Sequence, residues 1–146
     1  MPLPEPRSAP KKRGGAGAPP LRILVADDER DTVNMLMAIL RDEGHVVHGV
    51  YSGKDVLPAA LLLRPDVLIC DIAIPGLSGY AVAQAMRHAF IPARLPLMIA
   101  ITGFWKETPD RLVAQQVGFD HHLLKPCDSS HLLELLAPVQ ARQPGV

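Results

Sequence analysis

From Leu21 onward, short apolar runs alternate with longer segments in which apolar residues recur every three or four positions. This is the pattern of βα units, in which each strand is followed by a helix that packs back on a parallel sheet. Leu21 to Ala26 (LRILVA) is almost continuously apolar and ends in acids, as a strand buried on both faces requires. Asp31 to Glu43 puts Val33, Leu36, Met37 and Leu40 on one helical face, and Gly44 stands where helices commonly end in the left-handed region. His45 to Tyr51 reads as a second strand. Ser52 to Leu63 reads as a helix capped by Ser52, which Pro58 either kinks or forces to start late. Val67 to Cys70 is a third strand closed by Asp71, and the Pro75-Gly76 and Ser78-Gly79 pairs demand a turn before a helix over Tyr80 to His88. Leu97 to Ile101 gives a fourth strand, Pro109 to Val117 a fourth helix stopped by Gly118, and His121 to Leu124 a short fifth strand. Asp128 to Ser130 offers an N-cap for a last helix that Pro138 should end. The result is an α/β fold: a doubly wound, five-stranded parallel sheet with five helices.

The segment before Leu21 differs. Residues 1–20 hold six of the fifteen prolines, with Gly14, Gly15 and Gly17 among them, and too few apolar side chains to offset the entropy of ordering. They read as a disordered arm before a single domain over 21–139, with 140–146 as a flexible tail. The arm carries Arg7, Lys11, Lys12 and Arg13 against Glu5, so the neutral chain divides into an arm of +3 and a remainder of −3. A mildly acidic domain makes nucleic acid a poor primary partner, because a phosphate backbone needs a broad basic surface. No apolar run approaches the roughly 20 residues that span a bilayer, and residues 1–20 lack the apolar core of an export signal. With only Cys70 and Cys127, a reduced cytoplasmic setting fits best, with both thiols read as small hydrophobes rather than a redox pair. Too few residues follow Val139 for an attached output module.

In a doubly wound sheet, ligands bind beyond the carboxyl ends of the strands. Asp27 and Asp28 follow the first strand, Asp71 closes the third, Thr102 closes the fourth and Lys125 follows the fifth. Taken singly, each has a plain reading: acids at a helix N-terminus, a turn residue, a strand end, a surface cation. Together they suggest three crowded carboxylates, which a hard divalent cation keeps ionised at neutral pH. Mg²⁺ suits such a set because it retains waters and accepts a substrate phosphate. Lys125 and the Thr102 hydroxyl can then bind phosphoryl oxygens, and Asp71 can form an acyl phosphate. No P-loop is present, so the donor is expected to be a phosphorylated partner rather than ATP. The six histidines lack metal-ligand spacing.

The ordered set ILVADDER, VLICDIAIPGLSGY, IAITG and HHLLKP resembles response-regulator receiver domains over roughly Leu21 to Val139. The resemblance implies a flavodoxin-like strand order 2-1-3-4-5. It also implies that Asp28, Asp71 and the main-chain carbonyl of Ala73 bind Mg²⁺, with Asp27 helping through water. Asp71 is then the phosphoacceptor, served by a sensor histidine kinase or a histidine phosphotransfer protein. Thr102 and Lys125 contact the phosphoryl oxygens, and the Lys125-Pro126 bond is cis. Signalling would run through a conformational switch to an unknown downstream protein, at the face of helix four, strand five and helix five. The resemblance leaves a homodimer open, and implies no enzymatic activity beyond phosphoryl acceptance and slow autodephosphorylation.

Three positions depart from the family pattern. His122 occupies the switch position where many receivers carry Tyr or Phe, Ala73 lies where a polar side chain can influence acyl phosphate hydrolysis, and Ser78 stands where an acid is common. Phe104 and Trp105 follow strand four, as either a partner surface or core. Two rivals share the residue pattern. A Mg²⁺-dependent phosphatase with an aspartyl nucleophile usually places a second acid two residues beyond it, where this chain has Ala73. A receiver-like scaffold that is never phosphorylated would not need the full set of acids, Thr102 and Lys125.

Overall fold

The structure, a computed structural model, describes residues 19–103 and 118–142. The strands are β1 (Arg22–Ala26), β2 (Val46–Val50), β3 (Val67–Asp71), β4 (Leu97–Thr102) and β5 (His121–Leu124). The described helices are α1 (Arg30–Asp42), α2 (Val56–Leu63), α3 (Gly79–Ala89) and α4 (Ser129–Arg142), with 3₁₀ turns at Gly53–Asp55 and Pro92–Arg94. All strand pairs are parallel and the order is β2-β1-β3-β4-β5. This is the flavodoxin-like sheet expected. The helix expected over Pro109–Val117, most of the arm and the end of the tail lie outside the described residues, as do Phe104 and Trp105.

Strand alternation divides the core in two. Ile23, Val25, Ile69, Ile99 and Ile101 face α1 and α4, where Val33, Leu36, Leu40, Leu132, Leu136 and Val139 complete a buried cluster. The intervening Leu24, Ala26, Leu68, Cys70, Met98 and Ala100 face α2 and α3, against Val56, Ala60, Val82 and Met86. Both faces of β3 are therefore covered, and all five of its residues are buried. Near-continuous apolarity in the strands is the sequence consequence of this double cover.

Helix boundaries follow backbone chemistry. Gly44 takes φ +96° just beyond α1 and ends it. The second helix starts late: Ser52 makes no side-chain cap, its hydroxyl instead donating to Asp55 Oδ2 at 3.2 Å. Pro58 is the third residue of α2, where its missing N–H has no intrahelical acceptor to serve. Pro138 does not end the last helix, which continues to Arg142 through part of the expected tail. The exposed face of Pro138 leaves the unserved carbonyl one turn back to water, while buried Leu132, Leu136 and Val139 hold the helix to the sheet on both sides of it. Asp128 caps this helix by accepting from the Ser130 N–H at 3.0 Å.

The register aligns the strand ends. Ala26 pairs with Cys70, Asp71 with Ile101, and Thr102 with Leu124. The residues leaving β1, β3, β4 and β5 are thereby brought to one edge. Beside them, the Gly53 N–H donates to the Pro75 carbonyl at 2.8 Å, seating the loop after β2 on the loop after β3. The approach is so close that a Cβ on Gly53 would fall 1.8 Å from the Leu77 carbonyl oxygen.

Candidate functional site

β1 delivers Asp27 to a fully buried position and Asp28 to an exposed one. Asp27 is fixed at both ends, its N–H donating to the Val50 carbonyl at 3.2 Å and its Oδ1 accepting from the Glu29 N–H at 2.9 Å. β3 ends at Asp71, which is 4% exposed and whose Oδ1 accepts from the Ala73 N–H at 3.2 Å. One oxygen from each of Asp27, Asp28 and Asp71 lies within 4.8 Å of the others. Among the described residues this is the one cluster of three or more possible metal ligands. Its all-oxygen donors, two of them buried and one open to solvent, suit a hard cation that keeps part of its hydration.

Lys125 enters from β5. Its N–H donates to the Thr102 carbonyl at 2.9 Å and its peptide bond to Pro126 is cis. The ammonium then reaches across the sheet edge, 2.8 Å from Asp27 Oδ2, 2.9 Å from Glu29 Oε1 and 3.5 Å from Asp71 Oδ2. Thr102 completes the edge at the end of β4 and is 8% exposed. The structure therefore gathers Asp27, Asp28, Asp71, Thr102 and Lys125 in one place.

The electrostatics follow from burial and crowding. Burial and then the Asp27 charge push the Asp71 carboxyl above its usual range, against the Ala73 N–H and Lys125, which pull it down. Burial works against the Lys125 charge. Hydrogen bonds to Asp27 and Glu29, with the fields of Asp71 and Asp27, outweigh it and drive that pKa upward. Lys125 in turn holds the exposed Glu29 below the usual carboxylate range. The ammonium is thus securely charged, while the Asp71 carboxylate is held at a cost.

Glu29 is the member that sequence reasoning missed. Its signal was present in the ADDER run, but its partner lies 96 positions away. The three departures have defined places. Ser78 caps α3, its side chain accepting from the Ala81 N–H at 3.3 Å. Ala73 is exposed beside Asp71, and His122 is half-buried with its ring edge-on to Phe119 at 6.4 Å between centroids. Cys70 and Cys127 pack into clusters on opposite faces of the sheet. Burial raises both thiols, with Asp71 and Asp27 adding to the rise at Cys70, so neither is an activated nucleophile. No described helix is long and apolar enough to cross a membrane.

A parallel α/β sheet with acids and a lysine at its carboxyl edge is the architecture of a phosphoryl-handling protein. The model of the response regulator receiver domain matches residues 23–137, and the chain belongs to that family. It is 30% identical over 120 residues to the protein PilH of Pseudomonas aeruginosa, covering 82% of this chain and 98% of PilH. It is 33% identical over 122 residues to the DNA-binding response regulator MtrA of Mycobacterium tuberculosis, covering 83% of this chain. The match takes in only 50% of MtrA, so the chain spans about half the length of that relative. Among solved structures, the receiver domain of the sensor histidine kinase PA1611 of P. aeruginosa superposes with a TM-score of 0.74 at 27% identity, covering 84% of this chain and 99% of that one. That structure has a magnesium ion coordinated in its active site cleft. The chain is a response-regulator receiver, and the family is in general a signalling module rather than an enzyme.

Proposed function

We propose that Asp71 is the phosphoacceptor of this receiver, supplied by a sensor histidine kinase or a histidine phosphotransfer protein. The observation that carries the reading is the Lys125 ammonium beside a buried Asp71 carboxylate at the carboxyl edge of the sheet. In the transfer, an Asp71 carboxylate oxygen forms a P–O bond as the P–N bond of phosphohistidine breaks. The phosphohistidine ring, protonated at its other nitrogen, leaves with the P–N electron pair as neutral imidazole. The Lys125 ammonium offsets charge on the transferring group, and Thr102 offers its hydroxyl to another phosphoryl oxygen. Asp28, Asp71 and the Ala73 carbonyl would hold Mg²⁺, with Asp27 behind them, and the ion would supply charge neutralisation for the phosphoryl oxygens.

The product is a signal rather than a released compound, apart from slow hydrolysis of the acyl phosphate. Its readout would be a population shift at α4, β5 and the segment before β5, felt by a downstream protein in the cytoplasm. Exposed Ala73 places no charged or hydrogen-bonding side chain next to Asp71 to assist or oppose attacking water. The test is intact mass after incubation with acetyl phosphate, with and without Mg²⁺, for the wild type and Asp71→Asn. One phosphoryl group gained only with Mg²⁺, and only by the wild type, supports the assignment. No gain by a folded wild type overturns it in favour of a scaffold, and gain by the variant moves the acceptor elsewhere.

A further inference from the structure

At the end of the sheet opposite Asp71, where β1 and β4 begin, lies an open groove of about 720 Å³. Four arginines line it, Arg22, Arg64, Arg94 and Arg142, against the single acid Asp66. That acid is already engaged, its Oδ2 accepting from the Arg22 N–H at 2.8 Å. Arg22 gives one guanidinium hydrogen to the Leu63 carbonyl at 3.1 Å. No ion pair joins Arg64, Arg94 or Arg142 to another described residue. The groove is therefore strongly basic within a domain that is otherwise acidic, residues 21–146 carrying a net −3.

The wall between these charges is apolar. Ile91 is 64% exposed and Leu61 51% exposed, with half-buried Phe90 beside them. Leu61 follows from the composition of α2 (VLPAALLL), which carries more apolar residues than its core face can bury. Arg64, left-handed at φ 52°, turns the chain out of that helix at the groove's rim. Planar guanidinium forks around an apolar strip match carboxylates spaced along a peptide that also carries aliphatic side chains.

We propose that this groove docks an acidic, leucine-bearing segment of another protein. Charge complementarity excludes the nearer candidates. The arm of this chain carries +3 and is repelled by the arginines, and a second copy packed two-fold on this face would bring a second arginine groove against the first. A groove of this extent also lacks the broad basic stripe that a nucleic acid backbone needs.

The test is fluorescence anisotropy of the full chain with a short fluorescein-labelled peptide of glutamate interspersed with leucine. The matched peptide with lysine for glutamate and a labelled oligothymidylate are the competing arms. The glutamate peptide should bind best, weaken as NaCl rises, and lose about tenfold or more in affinity with Arg64→Glu/Arg94→Glu, as two reversed charge contacts predict. The Arg64→Lys/Arg94→Lys variant keeps the charge and should retain most of the binding. Thermal melting of each variant separates loss of binding from loss of fold. Equal binding of the lysine peptide, tighter binding of oligothymidylate, or affinity unchanged by a folded double Glu variant would overturn the proposal.

Discussion

Replacing Asp71 by Asn tests whether the fold carries its acidic cluster at a cost. Oxygens of Asp27, Asp28 and Asp71 lie within 4.8 Å of one another. At an effective dielectric of about 20 each such pair repels by about 3.5 kcal/mol, so Asp71 meets about 7 kcal/mol from its two neighbours. Lys125 Nζ, 3.5 Å from Asp71 Oδ2, returns about 4.7 kcal/mol of attraction at that dielectric. The balance is about 2 kcal/mol of net repulsion, and burial of the charge adds to it with the same sign. Screening of exposed Asp28 trims its share of that repulsion and burial of the Asp71 charge, the larger cause of its raised pKa, offsets the trim, so Asp71→Asn should stabilise the metal-free protein by about 1–2 kcal/mol. The amide keeps an Oδ1 for the Ala73 N–H, and its new NH2 has the Asp27 and Asp28 carboxylates nearby as acceptors.

The pH dependence has a definite sign. An acid whose folded pKa is raised binds more protons folded than unfolded, so its destabilising effect is full above the folded pKa. The advantage of the variant should fade as pH falls through that pKa, and vanish below the ordinary carboxylate value of about 4. Urea denaturation in EDTA, at neutral pH and in acid, reads this directly. Repeating it with excess MgCl₂ should narrow or invert the order, because a ligand bound to the native wild type adds stability by mass action. A variant less stable than wild type in EDTA would refute the reasoning, since Lys125 would then outweigh both neighbouring acids.

Lys125→Met should lower stability by about 2–3 kcal/mol in the same assay, because it strips the ammonium from fully buried Asp27; a loss under about 0.5 kcal/mol would contradict the pairing. Gly53→Ala should cost more than about 2 kcal/mol, since the added Cβ meets the Leu77 carbonyl and separates two loops at the site edge. Ser78→Ala should cost about 1 kcal/mol through loss of the α3 cap. His45 accepts the Leu21 N–H at Nδ1, 3.0 Å away, and burial, opposed by Asp66, holds its pKa below the ordinary value. Its contribution to stability is therefore full above about pH 6.5 and lost as pH falls through the lower folded pKa. NMR titration of the ring gives that pKa, and a value at or above the ordinary one would count against the buried acceptor geometry.

Strands were the most legible part of the sequence, because burial on both faces leaves β1, β3 and β4 almost no freedom to be polar. The five strand-end residues could be placed for the same reason: a polar residue that closes an apolar run marks where the strand ends, and parallel register brings those ends to one edge. Less legible were the features set by tertiary context. Whether Pro138 stops a helix depends on which side of it faces water, and that is decided by where Leu136 and Val139 pack. Whether Ser52 caps depends on the 3₁₀ turn that the Gly53 contact imposes. Glu29 was hidden because its role exists only through Lys125, and the arginines of the far groove come from four separate segments with no common motif.

Lys125 joins the chemistry to the fold. Its main chain ties the end of β5 to the end of β4, and its side chain spans to the residues leaving β1 and β3. In the unphosphorylated protein the ammonium lies closer to Asp27 and Glu29 than to Asp71. A phosphoryl group on Asp71 would add negative charge and acceptor oxygens on that side alone. The balance among three carboxylates would tilt toward Asp71, drawing with it the peptide that links β5 to α4. Exposed Glu29 is the weakest of the competing holds because water screens it, so it is the contact most readily given up. A charge change at one strand end would thus bias the placement of another strand and its helix, which is the coupling a two-state signalling domain requires.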